Sequence, residues 1–237
     1  PGAISEQINS LVQSGWLVPT ADGGLRAGCT MDALRRDPLP LPDRLRKQEA
    51  ARIDGLGLQS RQLFDVLVVL DMDATVELVA EIAGIEPHGL GRALHELSVA
   101  GLIQERTEGV HEIVSLRGDR NREVAYRLIA KEQRTQLHRA VAAALRRRSR
   151  RRTGTFAEVI ASHLLSGGQV GEAFTMLLVA AETTLRSGRN RAALKLLEKA
   201  ERARRGRPPD GELNEQERYS PNLYALWGSV QSRMGKH

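Results

Sequence analysis

The sequence predicts a mainly α-helical protein with two small β-hairpins, and three observations predict it. Apolar residues recur at three- and four-residue spacing through most of the 237 positions. Glycine and proline interrupt that pattern at intervals of one or two short helices. Aromatic residues make up only 3% of the chain while hydrophobic residues make up 41%, so the core has to be built from Leu, Val, Ile and Ala. Those side chains let helices approach one another closely.

The first predicted element is a helix over residues 3–14, with Ile4, Ile8, Leu11 and Val12 on one face and Gly15 as its stop. Trp16-Leu17-Val18, the turn Ala21-Asp22-Gly23-Gly24 and Leu25-Arg26 read as a hairpin, because Asp-Gly tolerates the positive φ that such turns need. Pro38-Leu39-Pro40-Leu41-Pro42 cannot continue a helix and reads as an extended connector. Helical spacing resumes at Asp43 with Leu45, Ala50 and Ile53, and again with Leu63, Val66, Leu67 and Leu70.

The next unit is the most informative. Ala74–Ala83 reads as a short amphipathic helix, Gly84-Ile85-Glu86-Pro87 as a turn, and Gly89–Ala100 as a second helix with Leu90, Leu94 and Leu97 inward. Gly101 ends it. Leu102–Arg106, a turn at Thr107-Glu108-Gly109 and Val110–Leu116 then read as a hairpin, and helix-turn-helix plus hairpin is the pattern of a winged helix.

Asp119–Ala130 and Lys131–Arg148 follow as basic helices. Residues 119–152 hold twelve Lys/Arg against three Asp/Glu, a local +9 against +6 for the whole chain, so the remainder is slightly acidic. Further on, Gly171–Leu185 and Arg191–Ala203 align at an offset of twenty, pairing Ala173 with Ala193, Met176 with Leu196, Leu177 with Leu197 and Ala180 with Ala200. Gly188, Ala193, Leu197 and Ala200 have the small-residue spacing of tetratricopeptide-like α-α repeats. A polar loop from Arg205 to Asn214 precedes Leu223–Met234, which reads as the first helix of another repeat; we expect the natural chain to continue beyond it.

These residues resemble a family, the bacterial signal-transduction ATPases with numerous domains, in which an AAA-like ATPase is followed by a winged helix and tetratricopeptide-like repeats. Ile4–Leu17 looks like the lid helix after a Gly-x-Pro turn, with Pro1 as that proline. Leu90–Ile103 is similar to the family's segment leading into the wing, and Arg122–Tyr126 with Arg134–His138 resembles its pair of helices after the wing. The chain departs from the family at Gly118-Asp119, where a His-Asp pair is usual. The resemblance implies three domains: a lid-like helix and hairpin over 1–37, a helical linker and winged helix over 38–118, and basic helices with tetratricopeptide-like repeats over 119–237. It also implies ATP as a cofactor of the parent protein, at a site upstream of Pro1, and permits an appended kinase or cyclase.

Residues that would do chemistry are missing from the sequence. No G-x-x-x-x-G-K-[ST] phosphate loop occurs, Gly55-Leu56-Gly57 lacks the third glycine of a dinucleotide turn, and His95-Glu96 has no second histidine four positions after the first. His88, His95, His111, His138, His163 and His237 lack metal-ligand spacing and read as surface or interface residues. Cys29, the single cysteine, has no partner base, and Glu77 and Glu81 read as a solvated helix face. We therefore expect no catalytic, cofactor or metal residue in the chain. One cysteine and no long apolar run suggest a cytoplasmic protein without a membrane partner.

Two features bear on partners. The helix-turn-helix unit, residues 74–101, holds Glu77, Glu81, Glu86 and Glu96 against Arg92, a net −3 that repels phosphate. The run Arg146, Arg147, Arg148, Arg150, Arg151 and Arg152 is open to three readings: a solvated helix end, a dock for a protein or domain, or a phosphate contact. Hence the expected function is a regulatory and protein-interaction segment of a multidomain ATP-dependent signalling or transcription regulator. The alternative is a DNA-binding winged-helix transcription factor.

Overall fold

The structure is a computed structural model that describes residues 5, 8–9, 11–12, 16–20, 22–28, 43–149, 153–205 and 221–235. The proline-spaced connector, Cys29, Arg150–Arg152 and the loop after Arg205 lie outside the described residues. Of the first predicted helix, positions 5, 8, 9, 11 and 12 are helical, and the Trp16 amide donates to the Leu11 carbonyl at 2.9 Å. β1 (Leu17–Pro19) and β2 (Leu25–Ala27) form the expected antiparallel hairpin, with Val18 opposite Arg26.

α1 (Asp43–Asp54) and α2 (Leu58–Leu70) follow. From Leu63 to Leu70 every residue of α2 is buried, so this helix is the axis on which the surrounding elements pack. A helix apolar on all sides can only be stable if neighbours cover each face. Those neighbours are α3 (Val76–Ala83), α4 (Pro87–Val99), α5 (Asp119–Leu128) and α6 (Lys131–Arg148).

Ala74 and Thr75 differ from expectation. They form a strand, β3, that pairs with β5 (His111–Leu116), Ala74 opposite Val114 and Thr75 opposite Ile113. β5 also pairs with β4 (Ile103–Glu108), giving a three-stranded antiparallel sheet of order β3-β5-β4 in place of the expected hairpin. Thr75 still acts for α3, because its hydroxyl accepts the Leu78 amide at 3.3 Å as an N-cap. α3 ends at Gly84, whose φ of +68° is a left-handed conformation glycine adopts without steric cost. Pro87 sits in the first turn of α4, where its missing N–H costs nothing, so that helix starts two residues before the predicted Gly89. The β4–β5 turn falls at Gly109-Val110, since Thr107 and Glu108 still pair across the sheet.

α7 (Thr153–Ser166), α8 (Val170–Arg186), α9 (Asn190–Arg205) and α10 (Pro221–Arg233) complete the chain. The offset of twenty is reproduced in burial: Ala173, Leu177 and Ala180 on α8 are buried, as are Ala193, Leu197 and Ala200 on α9. α7 joins two apolar cores. Its Ile160 and Leu164 belong to the core around α2, and its Ala157 and Ala161 to the core of α8, α9 and α10. The first core runs from Ile53 to Ala173 without a break at the expected 118/119 boundary.

Candidate functional site: the arginine clamp and the junction beneath it

α6 buries Val141, Ala142, Ala144 and Leu145, which fixes its rotation over α2, α3 and α7. Three consecutive residues on a helix span about 200° of its circumference, so Arg146, Arg147 and Arg148 cannot all point one way. Arg146 turns to Glu172 in the first turn of α8, with which it forms a close ion pair. Arg147 and Arg148 turn to the end of α3. Arg147 donates to Glu81 Oε1 at 2.6 Å, and Arg148 donates to Glu81 Oε2 at 3.0 Å and to Thr75 Oγ1 at 3.2 Å.

Glu81 lies on the solvated helix face its sequence context suggests, and it is paired there as well. Hydrogen bonds from Arg147 and then Arg148 hold its carboxyl below the usual carboxylate range. Glu77 stays exposed on the same helix. The clamp is partly solvated: the side chains of Arg147, Arg148 and Glu81 are 56%, 41% and 37% exposed. Each such pair contributes only about 0.2–1 kcal/mol and is screened by salt, so the clamp sets the register of α6 on α3 more than it holds them together. The adhesion comes from the apolar layer below.

Beside the clamp, where Arg148 and Thr75 meet, lies a half-open cavity of about 350 Å³. Met72, Ala74, Leu78 and Ile113 line it from the sheet and α3, and Leu145 and Phe156 from α6 and α7. Arg106, which also lines it, donates to Asp73 at 2.8 Å and to Glu108 at 2.8 Å.

A buried polar chain crosses the same junction on another side. Tyr126 of α5 has Arg134 over its ring at 4.8 Å and Arg122 at 5.9 Å. Its hydroxyl lies 3.0 Å from His138 Nε2, and His138 Nδ1 lies 2.9 Å from His163 Nδ1. Hydrogen bonds along this chain are consistent if Tyr126 donates to His138 and His138 donates to His163, with both rings neutral. Burial pushes His163 down to about 4, with His138 and Arg122 adding to the effect; burial, then Arg122 and Arg134, also lowers His138. Nearby, Asp65 on α2 is buried yet accepts from Arg61 at 2.8 Å and Gln133 at 3.2 Å; desolvation raises its carboxyl above the ordinary value despite them.

In the sequence His138 and His163 read like the other histidines, as surface or interface residues, whereas both are buried. His88, His95 and His111 are exposed. The 25-residue separation of the pair leaves no local motif; the only available signal was that each lies on the apolar side of an amphipathic helix. Glu96, beside His95, accepts the Gly57 amide at 2.8 Å and the Ser60 hydroxyl, tying α4 to the first turn of α2. The exposed positions of α4 include Arg92, His88 and His95, with Arg92 the one Lys or Arg of the helix.

Among the described residues, no group of three or more His, Cys, Asp or Glu is placed to hold a metal ion, and no helix is long and apolar enough to cross a membrane. No protein-family model and no curated protein matches the chain.

Proposed function

We propose that this chain is a regulatory and protein-interaction segment without catalytic residues of its own, belonging to a larger ATP-dependent signalling protein. On this reading residues 74–116 are a winged helix and α7–α10 are tetratricopeptide-like helices. The order strand, helix, helix, strand, strand, closed as β3-β5-β4, supports the first assignment. The matched burial of α8 and α9 supports the second.

The observation that carries the proposal is the engagement of Arg146–Arg148 by Glu172 and Glu81. A run of arginines meant for phosphate would leave its guanidiniums without carboxylate partners from its own chain. These three instead bridge two helical units of the same chain, which is the behaviour of a domain dock. The wing offers little more to nucleic acid, since Arg106 is held by Asp73 and Glu108. A segment of this kind regulates by stabilising one arrangement of its units over another, through contacts that differ between the two.

Isothermal titration with magnesium-ATP and with a duplex DNA at about 50 mM salt tests the reading. We expect no heat of binding from ATP and no tight complex with DNA. ATP binding would place a nucleotide site inside this chain and defeat the proposal. A micromolar or tighter DNA complex would favour the transcription-factor alternative.

A further inference from the structure

We propose that the cavity beside Arg148 binds a small, uncharged, largely apolar molecule of one or two fused rings, and that this ligand braces the junction between the sheet unit and helices α6 and α7. The inference deepens the regulatory reading by naming the class of effector its junction would sense.

Size is the first argument. A volume of about 350 Å³ stands at the lower end of small-molecule sites, which run from about 300 to 1,000 Å³. It has room for a bicyclic ring system and not for a nucleotide with its phosphates. The walls are the second argument. Met72, Ala74, Leu78, Ile113, Leu145 and Phe156 offer aliphatic, thioether and aromatic surface, and a ring contacting them gains by dispersion and by leaving water.

Charge decides between ligand classes. The rim holds Arg106 and Arg148 against Asp73 and Glu108, a formal balance of zero. Each cation is already satisfied, Arg106 by Asp73 and Glu108, Arg148 by Glu81 and Thr75. A carboxylate or phosphate on the ligand would have to displace one of those acids, and an ammonium would have to displace an arginine. An uncharged ligand displaces neither.

The placement of the walls gives the site its consequence. Four of the six apolar residues come from the sheet unit and α3, and two from α6 and α7. A ligand touching both sides binds the assembled junction better than a separated one, and linkage requires it to stabilise the assembled state.

The test uses 2-naphthol as the probe, followed by calorimetry and by its own fluorescence, on the full chain. We expect a single site with a dissociation constant between about 10 μM and 1 mM, insensitive to salt, and a rise in melting temperature with probe concentration. Met72→Trp and Ala74→Leu narrow the cavity from its sheet side; each should weaken binding at least about tenfold while the protein still melts cooperatively. Met72 is only half-buried, so its variant tolerates the added bulk even if Ala74→Leu does not. Val110→Trp, at the 91% exposed tip between β4 and β5, should bind as the wild type does. The anion 2-naphthoate should bind at least about tenfold more weakly than 2-naphthol. Absence of binding to the wild type, equal binding by Met72→Trp, or naphthoate binding as tightly as naphthol would each overturn the proposal. None of these outcomes touches the ATP and DNA titrations, so the two proposals fail separately.

Discussion

The buried pair His138–His163 makes the chain acid-sensitive in a way that can be worked out in sign and size. A histidine in an unfolded chain titrates near 6.5, whereas His163 in the fold is held to about 4. Between those values the unfolded chain binds a proton that the folded chain refuses. Stability is therefore complete above the unfolded value, is lost as pH falls through 6.5, and stops falling near 4, where the folded chain takes up the proton too. For His163 alone the loss is about 2 kcal/mol from pH 7.5 to pH 5 and about 3 kcal/mol in total. For a chain of this length 2 kcal/mol corresponds to a fall of roughly 4–8 °C in melting temperature. His138 is lowered as well and adds to the loss. Asp65 acts in the opposite sense, because its raised carboxyl takes up a proton more readily in the folded chain. Glu81 and Glu201 are lowered carboxyls, so their contributions vanish only at lower pH. The assay is thermal unfolding of the wild type and of His163→Phe at pH 7.5 and pH 5. The wild type should lose several degrees and the variant a clearly smaller amount. If both lose the same, or the wild type loses less than about 1 °C, the neutral buried pair is not the source of acid sensitivity.

Packing predictions follow from the two cores. Leu97→Ala in α4 and Leu177→Ala in α8, both at 0% exposure, should each cost about 2–5 kcal/mol in chemical unfolding. A cost below about 1 kcal/mol would mean the side chain is not enclosed as described. Gly154 on α7 has Thr183 of α8 so close that an added Cβ would lie 2.5 Å from its hydroxyl and 3.3 Å from its Cβ. Gly154→Val should therefore destabilise by about 1–3 kcal/mol through overpacking, read from the shift in denaturation midpoint. Gly89→Ala is the contrasting case, since the obstructing atoms are the end of the Gln59 side chain, which can swing away. It should be neutral or stabilising by up to about 1 kcal/mol, because alanine favours a helix.

What was legible in the sequence was what periodicity encodes. Leu63, Val66, Leu67 and Leu70 announce α2, and the offset of twenty puts Ala173 and Ala193 at equivalent positions, both of them buried. β3 was illegible because two residues, Ala74 and Thr75, are too few to alternate, and their pairing partners lie about forty positions away in β5. Arg146–Arg148 stood out at once as a charge run, yet its partners did not. Glu81 is 66 residues from Arg147, and nothing local distinguishes it from Glu77, which is exposed on the same helix as Glu81 is. Arg122–Tyr126 and Arg134–His138 are separate segments of the sequence; in the fold Arg122, Tyr126, Arg134 and His138 meet. Long-range polar contacts of this kind depend on the tertiary arrangement and leave no spacing rule behind.

The central claim is that Arg146–Arg148 are spent on Glu81 and Glu172 and not offered to an anionic polymer. The salt dependence of binding to a duplex DNA or to heparin reads this directly, because the log–log slope changes by about 0.9 for each phosphate neutralised on DNA. Replacing Arg146, Arg147 and Arg148 together by Ala should leave the wild-type slope unchanged. Glu81→Gln with Glu172→Gln, which releases the arginines, should steepen the slope by about two to three. A triple alanine variant that flattens the wild-type slope by that amount would show the arginines already free, and would contradict the clamp.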